Sequence, residues 1–198
     1  MAHAAAELDP AAALRGARRL YSARDIDRAI KRMAADISAQ LAARDPVVLA
    51  VMHGGAFAAV ELCRHFEFAH EFDYVHVTRY RGGTAGGDVE WRVRPSASLK
   101  GRTVLVVDDI LDRGHTLAAL GAELARIGVA AQYTAVLVVK RVAAGEPRPR
   151  VNFAGVEVDD VYVFGCGMDY RGYWRGLKAL YALDPLAAHD ARAGGRVP

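Results

Sequence analysis

An α/β fold is predicted, with a central, mainly parallel sheet, helices on both of its faces and a small hood. Three features of the sequence predict it. Short runs rich in valine and without polar alternation recur at residues 47–51, 103–107 and 133–139, the pattern of strands covered on both faces. Between them the apolar period becomes helical, as at Ile26, Ile30, Met33, Ile37 and Leu41, and again at Leu117, Leu120, Leu124 and Ile127. Two of the runs then pass at once into loops of glycine and acid, Met52-His-Gly-Gly55 and Asp108-Asp-Ile-Leu-Asp-Arg-Gly-His-Thr116. Turns of this kind lie at the carboxyl edge of the sheet, where α/β proteins bind ligands.

A chain of 198 residues is long enough for one well-buried core. The alternation of elements runs without an obvious linker, so a single domain is expected. Its core spans about residues 45–145, its hood comes from 1–20 and 146–185, and 187–198 is a frayed tail rich in Ala, Gly and Arg. Residues 1–20 are rich in alanine and expected to be partly helical. Ser22 and Asp25 read as a capping box that opens the helix of Ile26 to Leu41, which Asp45-Pro46 ends. The first buried strand, 47–51, leads through the glycine loop into a helix carrying Phe57, Val60 and Leu62 to about residue 66.

A strand at 72–78 follows, and then the pattern dissolves into Arg79-Tyr-Arg-Gly-Gly-Thr-Ala-Gly-Gly-Asp88. A long unpatterned connection inside a compact domain points to a functional loop. Residues 89–95 suit a short edge strand or hairpin, and 103–107 a central strand. The helix after Thr116 is stopped by Gly128. The run 133–139 ends in Lys140, 143–149 is a turn-rich connection, 161–164 a strand, and 165–170 a loop opened by glycine.

The acidic loop carries the chemistry. A strand-to-helix loop aims free backbone N–H groups and the positive end of a helix dipole at one point, which suits a phosphate, and Thr116 can add a hydroxyl donor. Asp108, Asp109 and Asp112 beside such an anion site need another purpose. Carboxylates hold sugar hydroxyls or a ligand-borne Mg²⁺, so a phosphorylated sugar with bound metal satisfies both halves. Two plainer readings compete, a solvated acidic turn and the DDxxD magnesium motif of prenyl synthases. In the latter the acids project from a helix, whereas here a β-run precedes them and Gly-His-Thr follows. Gly54 and Gly55 let the backbone approach a ligand closely, although glycine turns are also common as mere connections. Lys140 is one of four lysines, with Lys31, Lys100 and Lys178; taken alone it reads as a solvated strand end.

Residues 104–117 closely resemble the phosphoribosyl pyrophosphate (PRPP) signature of the type I phosphoribosyltransferases. The resemblance covers about residues 45–180, and from Lys140 to Arg175 it narrows to the hypoxanthine/guanine branch. It implies transfer of a 5-phosphoribosyl group from PRPP to N9 of hypoxanthine or guanine, giving IMP or GMP and pyrophosphate, with Mg²⁺ as cofactor. By motif position, Asp108 and Asp109 would hold the ribose hydroxyls, and Asp112, Arg113, Gly114, His115 and Thr116 would wrap the 5′-phosphate. Asp112 would also receive the proton from purine N7. Met52, His53 and Gly54 would form the pyrophosphate loop, in which the peptide before His53 is often cis, and Arg175 would contact pyrophosphate. Lys140 would meet the purine 6-oxygen, Tyr162 would stack on the base, and the backbone near Val163 would read its edge. Asp169, on the base side, would engage Mg²⁺ with pyrophosphate. Arg79 and Tyr80 would open a lid. The sequence departs from many relatives at His53, where lysine is frequent, and at Arg79, where serine is frequent. The family further suggests a homodimer or homotetramer.

Composition narrows the alternatives. Net charge is +3, but the arginines are scattered and not interleaved with aromatics, so no nucleic-acid surface is indicated. Cys63 and Cys166 have no metal-type spacing and read as two reduced thiols. The first residues lack the basic flank and apolar centre of a signal peptide, and no apolar run is long enough to span a bilayer; a cytoplasmic protein with no membrane partner is expected. A transferase for xanthine, adenine or a pyrimidine stays open. So does a regulator that keeps the PRPP site as a sensor, although such a protein should lose base-reading residues or gain a basic element.

Overall fold

A computed structural model describes residues 9–79, 89–142 and 147–183. Its main sheet has six strands: β2 (Val47–Met52), β3 (Glu71–Arg79), β4 (Val89–Val93), β5 (Thr103–Leu111), β6 (Ala131–Lys140) and β7 (Phe153–Val158). They lie in the order β4-β3-β2-β5-β6-β7. All neighbours are parallel except the edge strand β4, which is antiparallel to β3. The apolar runs therefore occupy the middle of the sheet: Val104, Leu105, Val106 and Val107 are all 0% exposed.

Both faces are covered, as continuous apolar strands require. On one face α2 (Ala23–Leu41) and α3 (Gly55–Cys63) pack Ile30, Met33, Ile37, Ala59 and Leu62 against Val48, Leu105 and Val107. On the other, α4 (His115–Ile127) packs Leu117, Leu120 and Leu124 against Leu49, Val104 and Val106. Gly128 ends α4 at a φ of 84°, where a side chain would be strained and glycine is not.

A second, antiparallel sheet is built from distant segments: β1 (Arg18–Tyr21), β9 (Leu180–Ala182) and β8 (Val163–Phe164), in that order. Beside it the short helix α1 (Pro10–Gly16) contributes Ala13 and Leu14 to a cluster around Phe164, Tyr170 and Leu183.

Four features differ from the sequence reading. Strand β5 does not stop at Val107 but continues to Leu111, because its ladder with β6 runs on through Asp108↔Val136 to Leu111↔Val139. Asp108 and Asp109 thus sit on the strand, and only Asp112 reaches the loop. Strand β7 lies between the connection 143–149 and the strand 161–164, where the sequence reading has no element; its burial pattern, with only Phe153 and Val158 buried, gives weak periodicity, and pairing to β6 defines it. Tyr162 precedes β8 instead of lying within it. Residues 18–21 and 180–182 pair only with partners far away in the chain, which local pattern cannot register. The expected lid, Tyr80 and the glycines of 82–87, lies outside the described residues, as does the tail 187–198.

The capping box at the start of α2 is present: Ser22 Oγ accepts from Asp25 N at 3.2 Å and Asp25 Oδ2 accepts from Ser22 N at 2.9 Å. Since α2 supplies seven buried residues to the core, losing this cap weakens the whole domain. Ser22→Ala should lower unfolding free energy by about 1 kcal/mol, read from the denaturant midpoint at unchanged slope.

Candidate active site

At its carboxyl end β5 leaves the apolar core with two adjacent carboxylates still attached. Asp108 and Asp109 are 8% and 9% exposed, and Asp109 N donates to Asp108 Oδ1 at 2.9 Å. Burial pushes the Asp108 carboxyl well above the usual carboxylate range, and the neighbouring Asp109 adds to it. Burial also raises Asp109, opposed by its hydrogen bond with Asp108 and by the charge of Arg175. Two carboxylates packed in this way favour a partner that brings hydroxyls or positive charge.

The loop after β2 fits against this pair with no space to spare. A Cβ at Gly54 would stand 1.7 Å from Asp109 Oδ2, and one at Gly55 would stand 2.5 Å from the Val107 carbonyl oxygen. The Met52–His53 peptide is cis, the form the family resemblance implies. The His53 ring makes an edge contact with His76 of β3, centroids 4.6 Å apart. Partial burial, and after it the charges of His53 and Arg92, push the His76 imidazole below its ordinary value.

From the second sheet, Gly167 closes on the same point. Its φ is 106°, and a Cβ there would lie 2.4 Å from the Gly54 carbonyl oxygen. Arg175 donates to the Gly167 carbonyl at 2.7 Å and pairs with Asp169 Oδ1 at 2.7 Å. The other Asp169 oxygen accepts from Gly172 N at 2.6 Å. Tyr162, half-buried, donates its hydroxyl to the Asp169 carbonyl at 3.0 Å, while Val163 is buried in β8, paired with Ala182. Arg175, Asp169 and Tyr162, chosen in sequence for separate roles, are therefore one hydrogen-bonded group.

A second cluster forms where β5 and β6 end. Lys140, its side chain 7% exposed, directs Nζ to Asp160 Oδ1 at 3.1 Å and to Asp112 Oδ2 at 3.5 Å. Arg113 reaches Asp160 Oδ2 at 3.4 Å and approaches Asp112 Oδ1 to 3.9 Å. Asp112 Oδ1 is itself buried and has no hydrogen-bond partner among the described residues. Immediately beyond, Gly114 at φ 80° turns the chain into α4, whose first turn has no side-chain cap. The amides around His115 and Thr116 are thus presented to an anion with the helix dipole behind them.

Sequence reasoning passed over three contributors. Arg148 donates to the carbonyls of Lys140 at 2.8 Å and of Leu111 at 2.7 Å, so it ties together the two strand ends that carry Lys140 and Asp112. It lies in a turn-rich connection with no periodic signal. Asp160 is one of two adjacent acids with no periodic signal around it, and Gly167 lies in a loop where only its close approach to Gly54 distinguishes it.

A family model described as the phosphoribosyl transferase domain matches residues 16–171. The chain belongs to the phosphoribosyltransferase family. The hypoxanthine-guanine phosphoribosyltransferase of Bacillus subtilis is 28% identical over 167 residues, covering 84% of this chain and 92% of that protein. The hypoxanthine-guanine-xanthine phosphoribosyltransferase of Tritrichomonas foetus is 28% identical over 161 residues, with 81% and 88% covered. Among solved structures, a hypoxanthine phosphoribosyl transferase of Trypanosoma cruzi superposes with a TM-score of 0.79 at 26% identity, covering 89% of this chain and 96% of that one. This transferase thus has the α/β fold of those enzymes. Among the described residues, no helix is long and apolar enough to cross a membrane.

The buried acid pair of the transferase has a consequence for stability. A carboxyl whose folded-state pKa is raised binds its proton more tightly folded than unfolded, so stability is greatest with the proton on. It falls as pH rises from the ordinary 3.8 through the raised folded value. Asp108→Asn keeps the acceptor for Asp109 N and removes the buried charge. The ligand-free variant should melt higher than wild type at neutral pH and lose part of this slope, as read from melting temperature against pH.

Proposed function

We propose that the protein transfers the 5-phosphoribosyl group of PRPP to N9 of hypoxanthine or guanine, releasing pyrophosphate, and so serves purine salvage. The observation that carries this reading is the pairing of Lys140 with Asp112: a buried ammonium 3.5 Å from a carboxylate whose second oxygen has no hydrogen-bond partner among the described residues. A 6-oxopurine offers the complement along one edge, its C6 oxygen as acceptor beside N7–H as donor. An ammonium only donates and an ionised carboxylate only accepts. Adenine would bring an amino donor against the ammonium.

In the reaction the N9–C1′ bond forms as the bond from C1′ to pyrophosphate breaks, leaving positive charge on the ribose ring and added negative charge on the departing group. Asp108 and Asp109 hold the ribose hydroxyls, and Arg113, Gly114, His115 and Thr116 cradle the 5′-phosphate with Asp112 at the head of the turn. The backbone of Met52, His53 and Gly54, with Arg175, receives pyrophosphate; fixed donors aimed at developing charge are the largest ordinary source of such catalysis. Asp112 Oδ1 takes the N7 proton. Tyr162 stacks on the base, and the Val163 backbone reads its edge.

Mg²⁺ suits this donor set. Among the described residues no three His, Cys, Asp or Glu side chains gather into a metal site, and Mg²⁺ is usually held by one or two carboxylates together with substrate phosphates. Asp169 would provide a carboxylate, and the bound ion would neutralise charge on the leaving pyrophosphate. Cys63 and Cys166 are unpaired, which fits a cytoplasmic enzyme. Exposed Phe57 and Val60 on α3 and Phe72 and Tyr74 on β3 leave apolar surface that a homodimer or homotetramer would cover.

The deciding measurement is nucleotide formation from PRPP and Mg²⁺ with hypoxanthine, guanine, xanthine and adenine in turn. The 6-oxopurines should be converted and adenine scarcely, since sites built to bond one polar group reject an analogue lacking it by up to ~10⁴–10⁵-fold. Lys140→Met should depress activity with the 6-oxopurines and shrink their margin over adenine; an unchanged margin would make Lys140 a mere strand end.

Asp112→Asn should lower kcat by roughly 10²–10⁴-fold while PRPP still binds. Near-normal turnover in that variant would end its assignment as proton acceptor.

A further inference from the structure

We infer that Asp160 is a positioning residue for base recognition, holding the Lys140 ammonium on the purine edge while Asp112 changes its charge. The inference rests on the reading of Lys140 and Asp112 given above. Lysine is a point charge on a flexible four-carbon stem, so a bonding direction must come from its neighbours. Here the side chain is 7% exposed, and two carboxylates lie within reach of its Nζ, Asp160 at 3.1 Å and Asp112 at 3.5 Å. An ammonium has three donors; with two directed at these acids, the third remains for a ligand.

The two acids differ in what the reaction asks of them. Asp112 takes the N7 proton, and at that moment it ceases to be a full anion beside Lys140. Asp160 turns one oxygen to Lys140 and the other to Arg113, at 3.4 Å, and stands outside the proton transfer. It therefore keeps a buried cation paired across the whole reaction, which matters because a buried charge that loses its partner is strongly disfavoured. It also shares the pull of Lys140, which would otherwise fall on Asp112 alone. Through Arg113 the same carboxylate is joined to the phosphate-binding turn, and it lies two residues before Tyr162. The Lys140 ammonium is thus held by the segment that leads into the stacking ring.

The test uses the full chain with Asp160→Ala, Asp160→Asn and Asp160→Glu, measuring KM and kcat separately for hypoxanthine, guanine, adenine and PRPP, with melting temperature as a control. Misplacing a recognition group by about an ångström can cost on the order of 10²-fold. Asp160→Ala should accordingly lower kcat/KM for both 6-oxopurines by roughly 10–100-fold, mainly through the KM for base. The KM for PRPP should stay within about twofold, the margin over adenine should shrink, and Asp160→Glu should recover part of the loss. Asp160→Asn, close to isosteric, should show the same split if Asp160→Ala does not fold. An unchanged base KM in Asp160→Asn overturns the inference, and so does an equal rise in KM for PRPP and every base, which would mark a structural role only. Wild-type protein that converts no 6-oxopurine overturns the reading of Lys140 and this inference together; wild-type activity with insensitive Asp160 variants removes the inference alone.

Discussion

The ladder between β5 and β6 is the contact on which the site depends. It does not end where the apolar run ends, and its continuation through Asp108↔Val136 to Leu111↔Val139 holds two carboxylates in a part of the sheet that is otherwise dry. Left to local preference, acids after such a run would turn out into solvent, since burying an ionised group without a partner is unfavourable. Strand pairing on one side and the tight loop after β2 on the other keep them in. The cost is tolerable because the four residues just before them are completely buried, with apolar layers packed on both faces.

From that edge the rest of the architecture follows by exclusion of side chains. Gly54, Gly55 and Gly167 lie where any Cβ would collide with Asp109, with the backbone of β5 or with one another's backbone. Two loops and a strand can therefore meet at backbone distance. The smaller sheet meets that edge at Gly167 and is joined to β7 by Tyr21 Oη, which donates to the Glu157 carbonyl at 2.7 Å, while Trp174 Nε1 donates to the Pro10 carbonyl at 2.8 Å within the smaller layer. The chain ends that build this sheet are remote in sequence, yet their placement fixes where Asp169 and Tyr162 stand relative to β5.

The sequence made some of this legible and some not, for identifiable reasons. Strands β2, β5 and β6 were visible because their runs are apolar without alternation, and α2 and α4 because their periods are strong, with Ser22 opening the one and Gly128 closing the other. The motif around Asp108 to Thr116 was visible because its chemistry is local: every member lies within nine residues. What stayed hidden is non-local. Strands β1 and β9 owe their existence to each other, and the extension of β5 owes its existence to β6. The same holds in the site. Lys140 and Asp112 could be named from their positions, but that Lys140 is shared between Asp112 and Asp160, or that Arg148 clasps both strand ends, is a matter of distances between segments.

The two acidic clusters at this edge are of opposite electrostatic kind, and the difference orients the ligand. Asp112 and Asp160 stand among Lys140 and Arg113, two acids with two bases, so their surroundings are close to neutral and can accept an uncharged heterocycle without a change of net charge. Of the buried pair Asp108 and Asp109, Asp109 feels the charge of Arg175, whose guanidinium is already bonded to Asp169 and the Gly167 carbonyl. Their unrelieved burial selects for a partner that brings donors or cations, such as vicinal hydroxyls or a metal-bound sugar. Under the proposed function, a ligand joining a base to a phosphorylated sugar would place the base toward Lys140 and the sugar toward Asp108. The polarity is set by the charges each cluster lacks or already balances, before any shape complementarity is considered.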